Sequence, residues 1–525
     1  MKKFAPFAVI VAILGLIVFV INGKSTPADT PAKQAKTDTV QSDKPLIVVT
    51  PWEITSTDPS KSGFVFQRLN LAETLVNADD NANLTAGLAT KWSANDTATE
   101  WTFTLRENVK FHDGTPLTAD EVVKSLTVAL TKPTALEQAN IKAIDKVDAR
   151  TVKFTLDKPL QAFPAFLAHS TAIILADASF DKDNNVSQII GTGPYKVTMI
   201  EPPQKLTQTA FADYWGEKAS IANIEYLANS RSETRSLLVQ SADNYLVYNL
   251  DGASLDKLKA DNNVAIQTKS IARTIQYKVN AKHPFFADKA VRQILSKAID
   301  RQGISTAVLK MDNGVANLLL PPLFADWQIA VQDKKPDYTA LKQELVSLGF
   351  SYNDKNELIS KDGKPVKFTL KTFSDRPELP IVATALQSQW QQLGIGVEVA
   401  VGNFSDIPRT HQGGTLEMAL YARNYGLIPD PLGAISEDYA LKGADWGAMN
   451  WHNDTLLKAV AELNQGQDTA KQKELKQTIS QILYDEQPVT PVVYYQQQVA
   501  YNKALQGVKL DSFERSFYLN EIKFK

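Results

Sequence analysis

The chain has 525 residues, 44% of them hydrophobic and 22% charged, enough to bury two large lobes or about three domain-sized cores, which excludes a disordered or peptide-sized molecule. Its 56 Lys and Arg against 58 Asp and Glu give a formal net charge of −2, so no positive field recommends nucleic acid as a partner. The absence of cysteine excludes disulfides, thiolate metal sites, cysteine nucleophiles and a lipidated cysteine anchor.

At the start, Lys2 and Lys3 precede an uncharged stretch from Phe4 to Ile21, the charged-then-apolar pattern of an export signal. At 1.5 Å per residue it covers about 27 Å, near the minimum for a bilayer span. A signal peptide cleaved late, around Ala28 to Ala32, and a retained membrane anchor both fit residues 1–22. Either way the remainder faces outward, and residues 23–44, rich in Ser, Thr, Pro, Asp, Lys and Gln, read as a polar tether.

After the tether, strand and helix patterns alternate, as in an α/β body. Pro45 to Thr50 has the apolar run of a buried strand, and Trp101, Phe103 and Leu105 alternate with threonines as in a half-buried one, with Val109 and Phe111 extending the sheet pattern. Thr118 and Glu121 form a capping-box pair ahead of Val122, Leu126, Ala129 and Leu130 at helical spacing. Thr151 to Leu156 alternates as a strand, and Val291, Ile294, Leu295, Ala298 and Ile299 mark a helix face whose pattern ends at Asp300 and Arg301. A further helix carries Val382, Ala385, Leu386, Gln389 and Leu393, stops at Gly394 and feeds the alternating strand Ile395 to Val401. Leu475, Ile479, Ile482 and Leu483 make the last amphipathic helix, before a strand from Val489 to Tyr495.

Enzyme signatures are missing. The five histidines, His112, His169, His283, His411 and His452, lie too far apart in sequence for a local zinc motif, and neither a GxSxG elbow nor a phosphate-cradling GxxxxGK[ST] loop occurs. Gly191-Thr-Gly-Pro194 lacks the third glycine of a dinucleotide turn and reads as a tight turn before a strand. A periplasmic hydrolase is therefore the remote alternative.

An ordered series of segments carries a resemblance. Gly87-Leu-Ala-Thr-Lys-Trp92, Trp101 to Arg106, Val109 to Val122 and Gly191-Thr-Gly-Pro-Tyr195 are followed by Ala290 to Ile294 with Ala298-Ile-Asp-Arg301, Leu393 to Val397, Asp430-Pro431 and Pro488 to Tyr495. Over residues 46–525 this set resembles the family 5 extracytoplasmic solute-binding proteins, the peptide and nickel receptors of ABC importers. The resemblance implies a two-lobed α/β periplasmic binding protein of class II (type 2), hinged, with an enlarged N-terminal lobe. It implies lobe I at residues 45–270 with 497–525 returning to it, lobe II at 271–496, and a ligand enclosed between them. The implied partners are an ABC permease and its ATPase, the expected state is a monomer, and an anchored solute sensor is a further alternative.

In the family's peptide receptors the segment before Asp-Pro carries an acid that holds the peptide ammonium group, and here Leu427 or its neighbour takes that position. Arg423 offers a planar fork for a carboxylate, beside Asn424 and Tyr425. The expectation leans to a transition-metal chelate, nickel for example, as an exchangeable ligand and not a resident cofactor, with an oligopeptide or dipeptide ligand as the alternative. Trp446, Trp451 and Trp52 are candidates to cover ligand faces, and His169 and His452 are candidates to touch a metal. Each has a packing alternative, which for Arg423 is a salt bridge to Asp430 or Glu437 and for His112 is a scaffold role.

Overall fold

The computed structural model describes residues 44–525 except 375, 442, 443 and 467. The N-terminal apolar segment, and the tether up to residue 43, lie outside the described residues. Among the described residues no helix is long and apolar enough to cross a membrane.

A mixed sheet of ten strands organises the protein, in the order Gly396–Gly402, Lys367–Phe373, Met418–Asn424, Val264–Val279, Val489–Asn502, Tyr245–Tyr248, Leu46–Thr50, Asn223–Ala228, Lys205–Ala210 and Tyr195–Glu201. Two antiparallel strands at its centre, of 16 and 14 residues, are far longer than the rest. Their pairing runs from Val264↔Asn502 to Ser270↔Gln496, breaks, and resumes at Thr274↔Tyr494. Strands from the first half of the chain flank one end of this pair, and strands from the second half flank the other. A separate four-stranded sheet, Ala89–Ala94, Glu100–Leu105, Thr151–Leu156 and Ile141–Asp148, packs on the helix Ala119–Ala129.

Local signals explain most elements. Thr118 and Glu121 form the capping box of helix Ala119–Ala129. Gly394, at φ +77, ends the turn after helix Glu378–Gln391 and opens the strand Gly396–Gly402, because a left-handed residue stops the helix at no cost to glycine. Val109 and Phe111 do not extend the sheet: only an isolated bridge joins Lys110 to Pro116, since the Asp113-Gly114 turn folds the segment back on itself. Beyond Asp300 the helical pattern resumes for a short stretch, because Asp300 caps a new turn by accepting from Gly303 N at 2.8 Å.

The Gly191-Thr-Gly-Pro194 turn, His112 and Arg301 serve the scaffold. Cβ atoms at Gly191 and Gly193 would lie 2.2 Å from Leu71 O and 2.1 Å from Asn70 O, so the chain passes there only without side chains. His112 pins the same turn, accepting at Nδ1 from Gly191 N (3.2 Å) and donating from Nε2 to Gly193 O (3.0 Å). Burial pushes its imidazole down to about 4, which keeps it neutral with both nitrogens in use. Arg301 spans Ser296 O, Ala316 O and Pro491 O, tying helix to central strand. Gly193→Ala is expected to lower stability by about 1–3 kcal/mol, as overpacking against backbone does, in thermal or denaturant unfolding.

Candidate functional site

Strand direction marks a candidate crevice. In the first half, Leu46–Thr50, Asn223–Ala228 and Tyr245–Tyr248 are parallel, and the pairing of Tyr248 with Val499 aims their carboxyl ends at the middle of the long strand pair. In the second half, Lys367–Phe373, Gly396–Gly402 and Met418–Asn424 are parallel, and Asn424 pairs with Arg273, which aims them at the same place from the other side. Ligand crevices of open α/β sheets lie outside such carboxyl ends. Here two sets converge where the central register breaks.

The side chains gathered there are mainly ones that carry no local motif. Glu514, almost fully buried, pairs with Arg273 at 2.9 Å and with Arg68 at 3.5 Å. Arg68 lies over the Trp52 ring at 4.3 Å, and Trp52 stacks on Phe517 at 6.5 Å. Arg273 and Arg376 both face the ring of Tyr495, at 5.3 and 5.7 Å. Burial pushes the Glu514 carboxyl up, but Arg273, Arg68 and Arg376 outweigh burial and hold it below the usual range. Burial, then the Glu378 carboxylate beside it, push the Tyr495 phenol up to about 12. Three guanidinium groups thus lie near the Glu514 carboxylate, with Glu378 beside Tyr495, and among the described residues Arg376 has no carboxylate within ion-pair distance.

Of the residues singled out in the sequence, Trp52 and Asn424 stand at this crevice. Asn424 caps its own turn, accepting from Gly426 N at 2.7 Å, and is the cross-strand partner of Arg273. Arg423 pairs with Thr274, so it emerges on the opposite face of the sheet. Its fork grips Asp438 through Nε (2.9 Å) and Nη2 (2.8 Å), with Glu437 at 3.3 Å, and the Asp438 side chain is 1% exposed. Tyr425 is buried, donating to Gln276 Oε1 at 2.9 Å, while Leu427 is 53% exposed. Trp446 stacks on Phe404 at 4.6 Å, and Trp451 meets Tyr439 edge-on at 6.1 Å in a different core.

The histidines do not converge. His169 is half-buried and accepts from Thr171 N at 3.1 Å, capping its own turn, and loss of solvent around the ring pushes it down to about 4. His452 is exposed. Among the described residues no group of three or more His, Asp or Glu is placed to hold a metal.

Behind Arg423 sits Lys278, fully buried, donating to His411 Nδ1 (2.8 Å) and to the Asp445 carbonyl. Burial lowers it to about 7, against partial compensation from Asp438 and Asp445. A folded value below the unfolded one means the unfolded chain binds more protons between about pH 7 and 10.5, so stability rises with pH across that window. Lys278→Met is therefore expected to gain on the wild type at pH 6 relative to pH 9, measured as the difference in unfolding free energy at the two pH values.

The family model for bacterial extracellular solute-binding proteins, family 5 Middle, matches residues 83–444. The oligopeptide-binding protein AppA of Bacillus subtilis is 26% identical over 454 residues, covering 83% of this chain and 82% of its own. The nickel-binding protein NikA of Staphylococcus aureus is 25% identical over 454 residues, 84% of this chain and 87% of its own. The crystal structure of a nickel ABC transporter protein from Bacillus halodurans superposes with a TM-score of 0.79 at 24% identity, covering 91% of this chain and 99% of that one. These relatives are described as binding or transport proteins, and structures of this kind share the two-lobed fold.

Proposed function

The chain belongs to the bacterial extracellular solute-binding proteins of family 5, and from that premise we propose that it is the substrate-binding component of an ABC importer. It captures a small carboxylate-bearing ligand at the Arg68, Arg273 and Arg376 crevice and delivers it to a permease and its ATPase outside the cytoplasm. The observation that carries this reading is the cluster itself: three arginines and two aromatic rings gathered from distant parts of the chain, where both sets of parallel strands end. The break between Ser270 and Thr274 supports a hinge there, with residues 45–270 and 497–525 moving against 271–496. Ligand contacts from both sides favour the closed state, and that differential affinity is all that shifts the population. No covalent step is needed.

A transition-metal chelate, nickel for example, is a reading favoured by Leu427, which leaves no acid at the position where peptide receptors hold an ammonium group. Both a chelate and a peptide present carboxylates, so the arginines serve either. Native mass spectrometry with elemental analysis, on protein purified gently from its own cells, separates them. Near one small organic molecule per chain is expected, with a stoichiometric metal if the ligand is a chelate and without one if it is a peptide. A chain that carries no ligand, and whose unfolding midpoint is unmoved by the solutes of its own growth medium, overturns the receptor reading.

A further inference from the structure

The large sheet has two edges, and they are built differently. At one end the strand Tyr195–Glu201 carries Lys196 and Glu201, its pairing shifts between Val197 and Met199, and Pro202-Pro203 follows it. Charge, bulge and proline are devices that keep an edge from pairing with another chain. At the other end the strand Gly396–Gly402, Gly-Val-Glu-Val-Ala-Val-Gly, has one charge and no proline, and it pairs position for position from Lys367↔Gly396 to Phe373↔Gly402 without a shift. Val401 is 50% exposed there, and Phe404 just beyond it 48%. An open hollow of about 310 Å³, lined by Thr369, Gly396, Glu398 and Glu417 among others, lies over one face of the strand.

The register fixes what this edge offers. Gly396 N donates to Val366 O at 2.9 Å, so the even-numbered residues of the strand turn their backbone groups inward, and Val397, Val399 and Val401 turn theirs outward. Gln387 donates to Val397 O at 2.7 Å from the helix Glu378–Gln391, and a carbonyl has a second lone pair for another donor. Two such edges meet antiparallel about a twofold axis with Val399 opposite Val399 of the partner subunit. Val397 then faces Val401 of the partner subunit, and the outward groups of both strands enter one ladder.

Charge fits the same register. Glu398 lies opposite Ala400 of the partner subunit and not opposite its own copy, and Lys371 of the partner subunit, the cross-strand neighbour of that alanine, stands next in the row. Among the described residues neither Glu398 nor Lys371 is in an ion pair, and Lys371 reaches Asp406 only at longer range. Two strand spacings, about 10 Å, separate the acid from the partner's Lys371, and the small alanine between them leaves a path for the four-carbon stem. The twofold axis makes the pair twice.

We propose that the chain associates with a second copy of itself through the edge Gly396–Gly402, joining the two large sheets into one across a symmetric dimer. The strand lies within residues 271–496, so the hinge proposed above stays free to close in each copy. A dimer departs from the monomer expected from the resemblance.

The test is sedimentation equilibrium of the full chain as isolated from its own cells. A reversible monomer and dimer equilibrium is expected, with Kd on the order of 10–100 μM for an interface this small. Glu398→Lys and Lys371→Glu are each expected to weaken it at least about tenfold, by setting like charges in one row. Mixed together, the two single variants are expected to dimerise about as tightly as the wild type, because each supplies the charge the other lacks, a recovery that no contact within one chain produces. Val399→Pro removes an outward amide hydrogen and no bond of the chain's own sheet; it is expected to abolish dimers, and it gives the answer if a charge variant fails to fold. A wild-type chain that stays monomeric to about 0.5 mM overturns the inference, the edge then being open to a strand of another protein. So does association that the charge variants leave unchanged, as association through the N-terminal apolar segment would be, or association that mixing fails to restore.

Discussion

Arg423→Ala is expected to lower the unfolding free energy by about 3–5 kcal/mol at neutral pH, because it strips the bidentate partner from a buried carboxylate. Asp438 is held near 6 even with Arg423 present, as burial pushes it up and the guanidinium only partly offsets this. Without Arg423 the folded value moves further above the unfolded one. An acid with a raised folded pKa binds more protons folded than unfolded, so the variant's stability falls as pH rises through that window. The loss relative to wild type should therefore be largest at alkaline pH and shrink below about pH 6. Adding Asp438→Asn should recover most of it, since the residue no longer brings a charge into the core. A ligand-clamping role for Arg423 predicts the reverse: weaker binding with the unfolding midpoint unchanged.

Glu514→Gln is the second large effect. Arg273 and Arg68 would be left together in the crevice without their counter-charge, at a cost of about 3–5 kcal/mol. The Glu514 carboxyl is held below its usual range in the folded state, so its contribution is fully present above the unfolded value of about 4.5 and is lost as pH falls through the folded one. Wild type and variant should converge in acid, measured as urea midpoints at pH 7 and pH 3. The same substitution leaves three arginines facing an empty counter-ion position. Small dicarboxylates should then raise the variant's unfolding midpoint more than they raise the wild type's.

Elements whose signals are local were legible in the sequence. The capping box at Thr118, the stop at Gly394 and the helix marked by Val291, Ile294 and Leu295 depend on residues a few positions apart, and the structure has each of them, the helix running Lys289–Lys297 and ending before Ile299. The site was legible only where it abuts such signals. Trp52 follows a strand that its apolar run marks and Asn424 was singled out only by the resemblance around Asp430-Pro431, whereas Arg68 and Glu514 are 446 positions apart in the chain. Arg273 carried no distinguishing signal, since its strand also holds Lys269, Lys278 and several polar residues. Arg423 drew notice as the cation beside Asp430-Pro431, but its register opposite Thr274 turns it to the face where the helix Leu432–Asp438 presents two acids. Spacing along the chain does not reveal which face of a strand a neighbouring helix covers.

Arg376→Ala addresses the carboxylate crevice most directly, because this arginine has no carboxylate within ion-pair distance among the described residues and its removal strands no buried partner. Calorimetry with the ligand identified by native mass spectrometry should show affinity reduced at least about thirtyfold, the 2 kcal/mol or more that follows truncation of one side of a buried charged hydrogen bond. The unfolding midpoint without ligand should stay within about one degree of wild type. Unchanged affinity in a well-folded variant would place the ligand elsewhere and contradict the arginine crevice as its site.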